Sequence, residues 1–269
     1  MNNDDLYLIG ILNKYQARDL SVFSHEITNL KNILQNWASI YYVGIVDSGS
    51  RAKGTAISLA SDVDYVISLS NSCTRDSGGL KTIYQCLYDR LKQSYQEIRK
   101  QNVSVRIHLN QGFLQNNQLE IDVTPARRHT GNTNDHSIWI SKQGSWKQTN
   151  IQKHISDVRN SGRDNEIKLL KIWRELNQLD FPSIYLEYLV INHLLKYKPK
   201  GLDFLASNFC YLISELANTD TYPLWNLTVI DPANSNNVLS DLLTIEEKGK
   251  IVSAAIDAKY KFNLSSVVY

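Results

Sequence analysis

Cysteine is scarce: Cys73, Cys86 and Cys210 are the only three in 269 residues, and no two stand in a C-x-x-C spacing. An odd, scattered set argues against a disulfide framework and against a zinc ribbon, and it suits a reducing, cytoplasmic setting. Long apolar runs are missing too. The chain has no apolar run long enough to cross a membrane, and its acidic start, MNNDDLYLIG, lacks the basic-then-apolar order of a secretory signal. Charge of one sign is not in excess, because 29 Lys and Arg stand against 27 Asp and Glu, for a formal net charge of +2. Without a basic surplus, a stable partnership with a large nucleic acid is not expected, and any such contact needs a local patch. The six histidines show no metal-ligand spacing. There are no internal repeats and no low-complexity tract. What remains, 42% hydrophobic and 21% charged residues, is the balance of an ordinary globular chain of one large domain or two small ones.

Hydrophobic periodicity divides the chain. Leu20, Phe23, Ile27, Leu30, Ile33 and Leu34 recur at helical spacing, so 4–37 reads as helix with a break near Ala17–Asp19. The pattern then changes to strands, at 41–46 and 62–69. A long helix is expected over 79–100, with Leu80, Ile83, Leu87, Leu91 and Ile98 along one side. Strands at 103–109 and 118–124 flank a turn at Asn110–Asn117, and a short hairpin across 138–146 turns at Gly144. From Asn150 the signals are helical: 151–160, 164–178, 183–197, 202–217, and a last helix opened by Thr244 and running to about Lys261. The expected fold class is therefore α+β. A mixed α/β half with a small mixed sheet (residues 1–148, including the N-terminal helix) is followed by a helical half (residues 149–269), with a substrate cleft between them.

The chemistry concentrates in one stretch. Gly49-Ser50-Arg51-Ala52-Lys53-Gly54-Thr55-Ala56 follows the first strand, and Ser61-Asp62-Val63-Asp64-Tyr65 opens the second. Side chains two apart on a strand point to the same side, so Asp62 and Asp64 project together while Val63, Tyr65, Ile67 and Leu69 face the core. The strand at 118–124 repeats the arrangement, with Leu119, Ile121 and Val123 inward and Glu120, Asp122 and Thr124 outward. Three carboxylates from two strands can thus converge. Such a hard oxygen set suits Mg²⁺, with Mn²⁺ as a substitute. Two ions about 3.5–4 Å apart can stabilise the attacking and leaving oxygens of a phosphoryl transfer. The Gly-Ser turn ahead of them offers backbone N–H groups to phosphate.

These residues resemble the polymerase-β-type nucleotidyltransferases. Within that superfamily the chain resembles the cGAS/DncV-like group (CD-NTases, the SMODS group) of bacterial antiphage signalling, and their relatives the 2′-5′-oligoadenylate synthetases. Six blocks occur in the family's order. They are Gly49–Ile57 with Ser61–Asp64, Leu119–Ala126, Gly144–Asn150 with His154, Leu169-Leu170-Lys171-Ile172-Trp173, Phe181–Glu187, and Val229–Val238. Ile151 stands where the third block usually has proline, and Ser183 is followed by Ile184, then Tyr185, where relatives often place a base-stacking tyrosine next to the serine.

The resemblance implies a polymerase-β-like core and a template-independent nucleotidyltransferase that makes a cyclic or linear oligonucleotide messenger. ATP, alone or with other NTPs, would be the substrate, and an activator of unknown identity would control it. It implies Asp62, Asp64 and Asp122 as catalytic metal ligands for two Mg²⁺. Gly49, Ser50, Lys53, Lys171 and Ser183 would contact the nucleotide phosphates. On periodicity alone Lys171 is a surface lysine of an amphipathic helix and Ser183 a helix N-cap. Arg127-Arg128 would face an acceptor nucleotide or phosphate. Two other readings stand beside this one: an enzyme that modifies an RNA end or a protein, and a non-catalytic nucleotide-binding module. Three intact carboxylates speak against the last.

Overall fold

The computed structural model describes residues 1–269 apart from 61, 76–77, 111–117, 132 and 262. Most of the turn expected at Asn110–Asn117, and Ser61, therefore lie outside the described residues. In chain order the elements are α1 (Asn3–Lys14), α2 (Ser24–Ala38), β1 (Tyr42–Asp47), α3 (Ser50–Lys53), β2 (Val63–Leu69), α4 (Gly79–Lys92), β3 (Ile98–Lys100), β4 (Val105–Asn110), β5 (Gln118–Arg128), β6 (His136–Ile140) and β7 (Ser145–Thr149). Then come α5 (Ile151–Arg159), α6 (Asp164–Leu176), α7 (Ser183–Leu189), α8 (Leu205–Leu216), α9 (Pro223–Asn226), β8 (Ile230–Asp231), β9 (Asn234–Val238) and α10 (Ile245–Lys259). The chain forms two compact units: Arg18–Lys53 with Ser61–Ile155, and Met1–Ala17 with Gly54–Ala60 and Ser156–Tyr269.

The first unit is built on a mixed sheet in the order β1-β2-β5-β4-β3, with β6 pairing the far end of β5 and β7 pairing β6. β2 and β5 run parallel, and the remaining pairs of this sheet are antiparallel. The alternation read from the sequence decides its faces. Val63, Tyr65, Ile67, Leu69, Val105, Ile107, Leu109, Leu119, Ile121 and Val123 pack with Leu30 and Leu34 of α2 and Ile83, Leu87 and Leu91 of α4 in one apolar core. Strand β5 runs further than expected, through Pro125 to Arg128. Its β4 partner ends at Val123 and its β6 partner begins at Ala126. Pro125, which has no N–H to donate, stands in that gap. Helix α4 stops at Lys92, short of the expected 100, because Ile98 pairs with Ile107 in a strand ladder instead of extending the helical stripe. The hairpin turn at Gly144 forms as expected, with φ at +61°.

The second unit is helical. Leu8 and Ile11 of α1, Trp173 of α6, Tyr185, Leu186 and Leu189 of α7, Phe209 and Leu212 of α8, and Ile251 and Ala255 of α10 share its core. Helix α1 thus belongs with the helical residues and not with the sheet, where a single boundary at 148 would put it. Its apolar stripe is buried in this core, and the Asp5 carboxylate accepts the Ala206 N–H at 2.9 Å. Ile57 of the 54–60 segment joins the same core. Helix α10 opens with a capping box between Thr244 and Glu247. The stretch expected as helix over 183–197 is α-helical only to Leu189 and continues as a π-turn over Val190–Leu194. Among the described residues, no helix is long and apolar enough to cross a membrane.

Candidate active site

Strand β1 ends at Asp47, and the chain turns through Ser48 and Gly49 into α3. The turn is stitched to β2: the Ser48 N–H donates to the Asp64 carbonyl at 2.8 Å, and the Gly49 N–H donates to the Asp47 carboxylate at 3.2 Å. A side chain at Gly49 has no room, because its Cβ would lie 2.1 Å from Asp64 Oδ2. The glycine of the motif is therefore needed for space as well as for the turn: it lets the Asp64 carboxylate lie against backbone.

The parallel pairing sets Asp64 directly beside Asp122. Asp62 lies just ahead of β2, on the same side. Enclosure, then repulsion from Asp122 and Asp62, pushes the Asp64 carboxyl up to about 6, with Lys53 opposing. Burial also raises Asp62, against the pull of Arg106, and it raises Asp47. Acids forced together and partly desolvated in this way mark a place suited to a positive charge.

A positive charge is already there, and no motif predicted it. Arg106 of β4 stands opposite Asp122 in the antiparallel register. Its Nε donates to Asp122 Oδ1 at 2.9 Å, and its Nη2 to Asp122 Oδ2 at 2.6 Å and to Asp62 Oδ2 at 2.7 Å. Its Nη1 is paired with Glu120. The hydrogen bonds to Asp122 raise the arginine above its ordinary value. Among the described residues, no three His, Cys, Asp or Glu side chains are grouped as a cation-holding cluster. Asp62 and Asp122 are instead engaged by the guanidinium. The signal that could have found Arg106 was strand alternation, since Val105, Ile107 and Leu109 turn inward and leave Arg106 on the carboxylate face.

The remaining expected residues fall as follows. Ser50 and Lys53 bound α3, and Lys53 is buried. Lys171 is not a surface lysine. It is only 2% exposed, and its Nζ donates to Glu187 Oε1 at 2.7 Å and to Thr55 Oγ1 at 2.9 Å, all within the helical unit. Ser183 is not the N-cap of α7 but its first residue, and its Oγ accepts from Arg174 at 3.0 Å. Pro182 occupies the cap position, so the serine hydroxyl is left for the arginine. Tyr185 is fully buried, with no partner for its hydroxyl, so it offers no ring for a base to stack on. Arg128 donates to the Thr133 carbonyl at 2.8 Å.

No family model matches the chain. It is 25% identical, over 92% of its length and 84% of the relative's, to the cyclic AMP-AMP-AMP synthase of Escherichia coli (strain MS 115-1). Its fold matches that of CdnC from E. coli MS115-1 in the CdnC:HORMA-deltaN complex, with a TM-score of 0.72 at 20% identity over 96% of this chain and 90% of that one. It also matches Bradyrhizobium diazoefficiens CdnG in complex with GTP, with a TM-score of 0.71 at 12% identity over 97% and 93%. The chain is thus similar in sequence to a cyclic AMP-AMP-AMP synthase, and in fold to CdnC and to the CD-NTase CdnG.

Proposed function

We propose that the chain is a template-independent nucleotidyltransferase that builds a cyclic or linear oligonucleotide messenger from NTPs, ATP among them, for antiphage signalling in the cytoplasm. The observation that carries the reading is Asp64 beside Asp122 on parallel strands, with Asp62 on the same side and Gly49 leaving room for the Asp64 carboxylate. The E. coli relative joins AMP units, and CdnG binds GTP, so both the reaction class and a nucleoside triphosphate substrate fit.

Three carboxylates, although two of them are engaged by Arg106, are hard oxygen donors of the kind Mg²⁺ takes, which supports the metal reading. Asp62, Asp64 and Asp122 would hold the metal. When bound, it neutralises triphosphate charge and makes the acceptor hydroxyl more acidic. In the reaction, a ribose hydroxyl oxygen bonds to the donor α-phosphorus, the bond to the β-phosphate bridge breaks, and pyrophosphate departs. Gly49, Ser50 and Lys53 would orient the phosphates from the turn that is hydrogen-bonded to β2. Lys171 and Ser183, also expected to contact phosphate, are each held by a neighbour within the helical unit, Glu187 and Arg174. An activator of unknown identity belongs to the proposal; CdnC itself is seen in a complex with a HORMA protein.

The test is incubation with all four NTPs and Mg²⁺ or Mn²⁺, with mass analysis of products and pyrophosphate release. Wild type should form phosphodiester-linked nucleotides without added RNA or protein. Asp122→Asn should fall to background with the fold intact. Label appearing only on RNA or on a protein would replace this reading with the end-modifying one, and equal turnover by Asp122→Asn would remove the carboxylate assignment.

A further inference from the structure

Four carboxylates, Asp62, Asp64, Glu120 and Asp122, share the polar side of β2 and β5, and one guanidinium meets three of them. The contact is not a surface ion pair. The Arg106 side chain is 14% exposed, as is that of Asp122. Its strand neighbours Val105 and Ile107 are fully buried, which fixes the backbone from which it reaches. The fork uses both oxygens of Asp122 and one of Asp62, oxygens that a divalent cation would also need.

We propose that Arg106 is a built-in counter-cation: it holds Asp62 and Asp122 in register in the metal-free chain and competes with a divalent ion for the same oxygens. The inference rests on the reading that these carboxylates bind metal. It goes further by giving a role to a residue of β4 that none of the six sequence blocks contains. Two consequences follow from charge alone. Removing the guanidinium leaves the acids unneutralised, so the metal-free protein loses stability. The same change frees the ligands and removes a repelling charge, so the ion binds more tightly. A residue that merely braced the sheet would lower stability without tightening metal binding. Arg106 is thus a positioning residue that sets how much cation the site demands.

The experiment is a Mn²⁺ titration of the full chain without nucleotide, read by the paramagnetic resonance of the free ion, together with thermal melts in EDTA. Wild type, Asp122→Asn, Arg106→Gln and Arg106→Lys are compared. Asp122→Asn should weaken binding, which assigns the ion to these carboxylates. Arg106→Gln should lower the melting temperature in EDTA yet bind Mn²⁺ more tightly, on the order of tenfold, the scale of one charge-assisted hydrogen bond. Arg106→Lys keeps the charge and loses the fork, so it should bind more tightly than wild type by a smaller factor. It also serves if the glutamine variant fails to fold. Should Asp122→Asn leave Mn²⁺ binding unchanged, the metal reading falls and this inference with it. Should Asp122→Asn weaken binding while both Arg106 variants bind no more tightly than wild type, the competition is refuted and the metal reading stands.

Discussion

Asp64 is the residue on which the structure makes its sharpest quantitative demand. Its carboxyl is pushed up to about 6 from an ordinary 3.8, by enclosure first and then by repulsion from Asp122 and Asp62. The folded, metal-free chain therefore holds a proton at this acid more tightly than the unfolded chain does. The stability this confers is full below about pH 4 and is lost as pH rises through about 6, where the folded state must carry a disfavoured charge. A rise from 3.8 to about 6 corresponds to about 3 kcal/mol at neutral pH. Replacing the acid by Asn keeps its shape and removes the charge, but it leaves an amide that still wants partners. The net gain should therefore be about 1–2 kcal/mol. In a chain of this size that is roughly 2–8 °C in melting temperature. The assay is a melt of wild type and Asp64→Asn in EDTA across acid to neutral pH. The variant should melt higher at pH about 7, and the difference should vanish near pH about 4. A variant that melts lower at neutral pH, or a difference independent of pH, would show that Asp64 is not under the strain described.

Two further outcomes concern other features. Lys171→Ala should behave chiefly as a stability mutant, losing about 3–5 kcal/mol in chemical denaturation, because it strands the buried Glu187 carboxylate. Adding Glu187→Gln should recover part of that loss, and no recovery would mean that the pair is not coupled. Gly49→Ala should reduce nucleotide transfer by at least about tenfold, since the methyl must displace the Asp64 carboxylate. Near-normal turnover in Gly49→Ala would mean that Asp64 need not lie against the backbone.

Strand alternation carried most of the site. Val63 and Tyr65 inward with Asp62 and Asp64 outward, and Leu119 and Ile121 inward with Asp122 outward, could be read because a half-buried strand writes its two faces at period two. The same rule, applied to 103–109, could have put Arg106 on the polar side, but its partner could be known only from strand order. Nothing local in a single strand says that β4 and β2 flank β5. The burial of Lys171 was not legible for a related reason. A helix packed on several sides buries even its charged positions, and the partner that makes this tolerable, Glu187, comes from another helix. The over-long helix at 79–100 shows a third limit: Ile98 fits a helical stripe and a strand ladder equally well, and only Ile107 across the ladder decides. The separation of α1 from the sheet depends likewise on long-range burial, which periodicity does not encode.

The parallel pairing of β2 with β5 also bears on how the site comes into being. Asp64 and Asp122 become neighbours only when two strands distant in sequence align, with α4, β3 and β4 placed between them in the chain. Such pairings form late, because the entropy of closing a long loop must be met before the contact returns anything. A nascent or partly unfolded chain would present these acids far apart, each with an ordinary affinity for protons. Under the proposed function, the consumption of triphosphates is thereby tied to completion of the sheet. The proton affinity of Asp64 should appear as one of the last events of folding, which makes it a native reporter of when the chain becomes competent.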